Sequence, residues 1–207
     1  MKDIVARINS VRLTRTKKLI DQRMREFEAL NKKTSREWFK ELCFCILTAN
    51  CAAHTCMQIQ KNIEDGFISL TENNLAERLR NSGYRFPNIR ANYIVQNRRF
   101  VNALKNKLKN LDDFEARKWL VQNIKGIGYK ESSHFLRNVG YKNTAIIDFH
   151  IIDILVKTNL IPRPKTLTKT KYLEIENILK NIAIKSKLNL AELDLYLWFI
   201  ETGKVLK

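Results

Sequence analysis

The sequence predicts an all-α protein. Only six glycines and three prolines interrupt 207 residues, and apolar residues recur at spacings of three and four in almost every segment, so no stretch requires a strand. A capping-box pattern, Thr34-Ser-Arg-Glu37, stands directly before Trp38, Phe39, Leu42, Cys43, Ile46 and Leu47, which share one helical stripe. That helix, about 34–50, is expected to be central and buried. Further helices are expected at about 11–30, 53–64, 72–82, 88–107, 113–123, 129–138, 149–158, 171–185 and 190–202. Gly83 reads as a helix stop, and the loop Tyr84-Arg85-Phe86-Pro87 after it presents an aromatic ring beside a guanidinium. Ile161-Pro-Arg-Pro164 reads as an extended connection between helices.

A chain of this length holds one domain with a sizeable core, or two small ones sharing an interface. Its hydrophobic fraction of 44% is above that of a disordered tail, so folding is expected despite the charge. Lys and Arg number 38 against 21 Asp and Glu, a formal net charge of +17. The basic residues form no block of five or more, which argues for a basic face rather than a disordered arm. Some of that charge is a solvated coat; the remainder makes nucleic acid the leading partner, ahead of an anionic membrane or a protein surface.

Cys43, Cys45, Cys51 and Cys56 crowd into one apolar stretch without paired C-x-x-C spacing, and only His54 is near them. A zinc or iron–sulfur site is disfavoured, and reduced buried thiols are expected. Met1 opens on a charged, helix-like segment with no apolar signal core, and no apolar run is long enough to cross a membrane. The expectation is a soluble cytoplasmic protein.

The chemically informative segment is Asn123-Ile-Lys-Gly-Ile-Gly-Tyr-Lys130. Gly126 and Gly128 flank one apolar residue, Ile127, which can anchor a hairpin into the core while the turn amides and the next helix's N-terminus face outward as an anion site. A bare G-x-G is also an ordinary tight turn. Lys130, however, lies in the first turn of a helix, where the helix dipole disfavours a cation. A desolvated lysine has a lowered pKa and yields neutral amine for attack on carbon. Asp148 follows 18 residues after Lys130, behind Ala145-Ile-Ile147 and just before a new helix containing His150 and Asp153. Taken alone it reads as an N-cap.

These residues together resemble the helix-hairpin-helix DNA glycosylases, and features along the whole chain resemble the compact archaeal-type 8-oxoguanine glycosylases. The likeness is carried by the hairpin and Lys130-Glu131, by Ser133-His-Phe-Leu-Arg-Asn-Val-Gly-Tyr141, by Ala145-Ile-Ile-Asp148, and by Leu193-Asp-Leu-Tyr-Leu-Trp198 through to Lys207. Trp38-Phe-Lys-Glu-Leu42 and Leu47-Thr-Ala-Asn50 are similar as well. The resemblance implies one unit over residues 1–207, built as two helical lobes with the active site in the cleft between them and the hairpin at about 113–138.

It further implies that Lys130 attacks C1′ of an extruded nucleotide with help from the Asp148 carboxylate, excising 8-oxoguanine and then cutting the strand as a lyase. Gly126, Ile127 and Gly128 are expected on the DNA backbone, and Phe86, beside Arg85, as a wedge in the vacated stack. Trp198 is expected to stack on the base, and Lys207 with its carboxylate to reach the base's polar edges. No cofactor is expected, save a monovalent cation that the resemblance places on hairpin carbonyls. His134 is read as buried or phosphate-contacting and His150 as supporting the Asp148 turn, neither with a chemical role. Phe149 departs from the family pattern, which has a basic residue there. The expected partner is double-stranded DNA carrying oxidised guanine, bound by a monomer. Two other readings stand beside this one: a glycosylase for a different lesion, and a non-enzymatic hairpin module in which Lys130 only contacts phosphate.

Overall fold

The structure, a computed structural model, describes residues 1–49 and 51–207. Among them there is no strand. In chain order the α-helices are α1 (Lys2–Arg12), α2 (Thr16–Asn31), α3 (Ser35–Thr48), α4 (Ala53–Ile63), α5 (Gly66–Ser69), α6 (Glu72–Asn81), α7 (Pro87–Asn97), α8 (Leu104–Leu108), α9 (Asp113–Asn123), α10 (Tyr129–Asn138), α11 (Phe149–Lys157), α12 (Lys169–Ser186) and α13 (Leu190–Thr202).

Two separate apolar cores organise them. The first gathers Trp38, Phe39, Phe44, Leu47, Phe67, Leu79, Leu120 and Phe135 from α3 to α10. The second gathers Ile4, Ile20 and Phe27 from the first two helices with Ile151, Leu179 and Leu197 from the last three. The chain therefore starts in one lobe, builds the other, and returns to finish the first. The two-lobed all-α architecture expected from the sequence is present.

Helix α3 is the centre of the first lobe, and every residue from Glu41 to Thr48 is buried. Thr34 caps it by accepting the Glu37 amide at 3.4 Å. The reciprocal half of the box is replaced: the Glu37 carboxylate pairs with Lys40 at 2.7 Å. Asn50, the last residue of the Leu47-Thr-Ala-Asn50 motif, lies outside the described residues.

Two expected helices are each divided. In place of one helix at 11–30, the chain breaks at Leu13–Arg15, where the Thr14 hydroxyl bonds the Val11 carbonyl and accepts the Thr16 amide. The break folds α1 against α2 so that Ile4 and Ile8 join the second core. In place of 88–107, α7 ends at Asn97 because tertiary contacts capture the next turn. Arg98 donates to the Phe67 carbonyl at 2.9 Å, and Phe100 packs edge-on against Trp119 with ring centroids 5.2 Å apart. The helices at 113–123, 129–138 and 190–202 stand where expected, each opened by its own capping residue.

A candidate excision site between the lobes

The hairpin between α9 and α10 is built as its glycines require. Gly126 has φ +86°, a left-handed conformation, and a Cβ there would lie 2.4 Å from Cδ2 of Tyr93. Ile127 is half-buried against the first core. The hairpin is clamped from α7: fully buried Asn97 donates to the Lys125 carbonyl and accepts the Lys125 amide, both at 3.0 Å, while Arg90 reaches the Gly126 carbonyl at 3.4 Å. One detail departs from the expected anion site. The Gly128 amide donates to the Glu131 carboxylate at 3.1 Å, in a capping arrangement on α10, so that amide is already occupied.

Lys130 is the second residue of α10 and Asp148 is the N-cap of α11. Both line one cavity of about 740 Å³ in the cleft between the lobes. Asp148 accepts the Ile151 amide at 2.9 Å, so it caps the helix while facing the cavity. Lys130 is partly exposed, with its ammonium 3.6 Å from a Glu131 carboxylate oxygen. Trp198 and Lys207 line the same cavity. Two chain segments 18 residues apart and the last helix thus converge on one space, as the sequence reading requires.

The wall bearing Trp198 is aromatic. His150 stands edge-on to Trp198 with centroids 4.4 Å apart, and Phe149, 64% exposed, stacks obliquely on His150 at 3.8 Å. Lys207 is turned differently from expectation. Its ammonium points to buried Glu41, 2.8 Å from Oε2, and lies 4.2 Å from the centre of the Phe44 ring. Glu41 also accepts from Asn138 at 2.6 Å and Gln60 at 3.0 Å. The ammonium is therefore held on Glu41 while residue 207 lines the cavity. Arg85 and Phe86 do not line the cavity. They are exposed on the loop before α7, with the guanidinium 5.0 Å from the ring centre. Buried Tyr84 ties that loop to the end of α3 through the Leu47 carbonyl at 2.7 Å.

Arg137 and Asp194 line the cavity too and were not singled out from the sequence. Arg137 on α10 and Asp194 on α13 form a buried ion pair across the cleft. Burial pushes the Asp194 carboxyl up to about 6, with Arg137 opposing and Asp148 adding to the rise. His134 is 7% exposed, and its imidazole is held well below the usual range by burial first and then by the charges of Arg137, Lys130 and Lys207. The burial expected for His134 is present, and its spacing of four from Lys130 places both on one helix face. Cys51 lines the cavity and is half-exposed, whereas Cys43, Cys45 and Cys56 are buried. Among the described residues no cluster of three His, Cys, Asp or Glu has metal-binding geometry, and no helix is long and apolar enough to cross a membrane.

A family model described as 8-oxoguanine DNA glycosylase matches residues 20–188. The chain belongs to the 8-oxoguanine DNA glycosylase family. It is 52% identical over 206 residues to an 8-oxoguanine DNA glycosylase/AP lyase of Methanocaldococcus jannaschii, covering 99% of each chain. It is 46% identical to a protein of the same description from Korarchaeum cryptofilum, covering 99% of this chain and 98% of the relative. Among solved structures, the M. jannaschii glycosylase/lyase in complex with a 15mer DNA containing 8-oxoguanine superposes with a TM-score of 0.95, covering 98% of this chain and 99% of that one. The 8-oxoguanine DNA glycosylase of Thermotoga maritima superposes with a TM-score of 0.93 at 41% identity, covering 100% and 99%. In this family member the hairpin, the lysine and the aspartate therefore sit within a fold shared along nearly the whole chain.

Proposed function

We propose that this chain removes 8-oxoguanine from duplex DNA and then cleaves the strand at the resulting abasic site. The observation that carries the mechanism is the convergence of Lys130, Asp148 and Trp198 on one interlobe cavity. The Lys130 amine forms a bond to C1′ as the bond from C1′ to the base nitrogen breaks, and the base leaves with the electron pair and takes up a proton. Positive charge develops on the sugar, and the Asp148 carboxylate is placed to stabilise it. The adduct opens to a Schiff base. Loss of a C2′ proton then expels the 3′ phosphate by β-elimination. An enzyme that used water as nucleophile would have no need of Lys130.

The target atom lies inside a stacked duplex, so the nucleotide must be flipped out, at roughly a few kcal/mol. Phe86, 38% exposed beside Arg85, is the side chain we assign to the vacated stack. Gly126 and Ile127 offer the hairpin backbone to a phosphate, Trp198 offers a face to the base, and residue 207 closes the pocket. A monovalent cation belongs on the hairpin carbonyls of Ile124 and Ile127, which accept no hydrogen bond among the described residues, whereas those of Asn123, Lys125 and Gly126 do. There it would help hold the turn's amides toward phosphate. The protein acts as a monomer in the cytoplasm, on the nucleoid.

Borohydride reduction on an 8-oxoguanine duplex tests the reading. Wild type is expected to trap covalently, and Lys130→Gln to bind the duplex without trapping. Normal trapping by Lys130→Gln removes the nucleophile assignment. Trapping on another damaged base in preference to 8-oxoguanine moves the substrate assignment.

A further inference from the structure

We propose that His134 contacts the extruded base, its neutral imidazole hydrogen-bonding a polar edge of the purine. This rests on the excision reading above and adds a residue to it. His134 lies one helical turn beyond Lys130 on α10 and lines the same cavity. It is nine-tenths buried, and no hydrogen bond of good geometry reaches either ring nitrogen among the described residues, the backbone of Lys207 being the one group near enough to pull on the ring. A buried donor or acceptor left unpaired is unfavourable, and a polar ligand in the cavity can supply the partner. The ring is already oriented, standing edge-on to Phe44 with centroids 5.5 Å apart.

The charge state suits this role. Burial and the surrounding cations keep the imidazole uncharged at neutral pH, with only the nearby Lys207 backbone pulling the other way. It therefore carries one N–H and one lone pair. The Lys130 and Arg137 side chains present donors alone, so the imidazole adds an acceptor beside them. An oxidised purine offers N–H and C=O groups on both rings, so either nitrogen finds a match. Proton removal from Lys130 is the competing role. A depressed imidazole is a poor match for an ammonium, and this argues against it.

The test separates base from sugar and phosphate. In single turnover, His134→Leu is expected to slow release of 8-oxoguanine at least tenfold, while cleavage of a duplex with a pre-formed abasic site stays within twofold of wild type. Unchanged base release overturns the proposal. So does a parallel loss of both rates, which would mean that His134 supports Lys130 or the backbone. Should His134→Leu not fold, the native ring is read directly in the Lys130→Gln protein by ¹⁵N resonances of the imidazole. They are expected to shift with the lesion duplex and not with one bearing a tetrahydrofuran abasic analogue; equal or absent shifts overturn the assignment. If wild type neither releases base nor cuts the abasic duplex, the excision reading fails instead.

Discussion

Asp148 performs two tasks with one carboxylate. One oxygen accepts the Ile151 amide and caps α11, while the residue lines the cavity that also holds Lys130. Asparagine caps a helix about as well as aspartate but carries no charge. Asp148→Asn is therefore expected to fold normally and bind duplex DNA with nearly unchanged affinity, yet release base about 10²-fold or more slowly in single turnover. An unchanged rate would reduce Asp148 to a cap. The residue scale is also where the sequence reading was least complete. Lys130 was legible because a cation at a helix start breaks a local expectation, whereas Asp148, alone an ordinary N-cap, was legible only in combination with Lys130 and the hairpin. Asp194 and Arg137 break none, since they are ordinary polar positions on amphipathic helices until the lobes meet.

At the scale of the element, the hairpin is stiff because α7 holds it. Asn97 bonds both polar groups of Lys125 as a paired strand would, and Arg90 ties the Gly126 carbonyl to that of Ala49 at the end of α3. An alanine at 126 would be forced into a left-handed conformation and meet the Tyr93 ring. Gly126→Ala is expected to cost about 1–3 kcal/mol of stability, measured by denaturant unfolding. The same variant should weaken binding to undamaged duplex on the order of tenfold, or ~1.4 kcal/mol, by displacing the phosphate-facing turn. Full affinity in that variant would show that the turn does not carry the DNA backbone. The segment bearing Asp148 is held in a comparable way. Glu176 on α12 accepts the Ala145 amide at 2.8 Å and pairs with Arg117 of α9, both Arg117 and Glu176 being buried, and Tyr172 donates to the Ala145 carbonyl at 2.6 Å.

At the scale of the whole molecule, two buried ion pairs bridge the lobes beside the cleft: Arg117 with Glu176, and Arg137 with Asp194. The second has a pH signature. Because the folded pKa of Asp194, about 6, lies above the ordinary aspartate value of 3.8, the folded state binds the proton more tightly than the unfolded chain. The stabilisation from this group is present below about pH 4 and is lost as pH rises to about 6, roughly 1–3 kcal/mol in all. Unfolding free energies of wild type and Asp194→Asn, compared from pH 4 to pH 7, should differ by that slope; a flat difference would contradict it. The net charge of +17 acts at the same scale. Each phosphate neutralised contributes about −0.9 to the slope of log affinity against log salt, so a duplex footprint of several phosphates gives a slope on the order of −4 or steeper. Salt-independent binding would remove DNA as the partner.

What the sequence by itself determined is local. Helix periodicity, capping residues and the glycine pair all act within a few turns of chain, so the helices at 113–123, 129–138 and 190–202 could be read directly, whereas the roles expected of Lys130 and Asp148 came from the resemblance. The tertiary structure decided whatever depends on distant residues meeting. The helix expected at 88–107 broke because Arg98 and Phe100 found partners on other elements. The Lys207 ammonium pairs with Glu41, 166 residues away. His134 lines a cavity with Trp198 and Lys207, residues that only the tertiary fold brings to α10. Hydrogen bonds and desolvation act over a few ångströms of space, and separation along the chain carries no record of which side chains that space will contain.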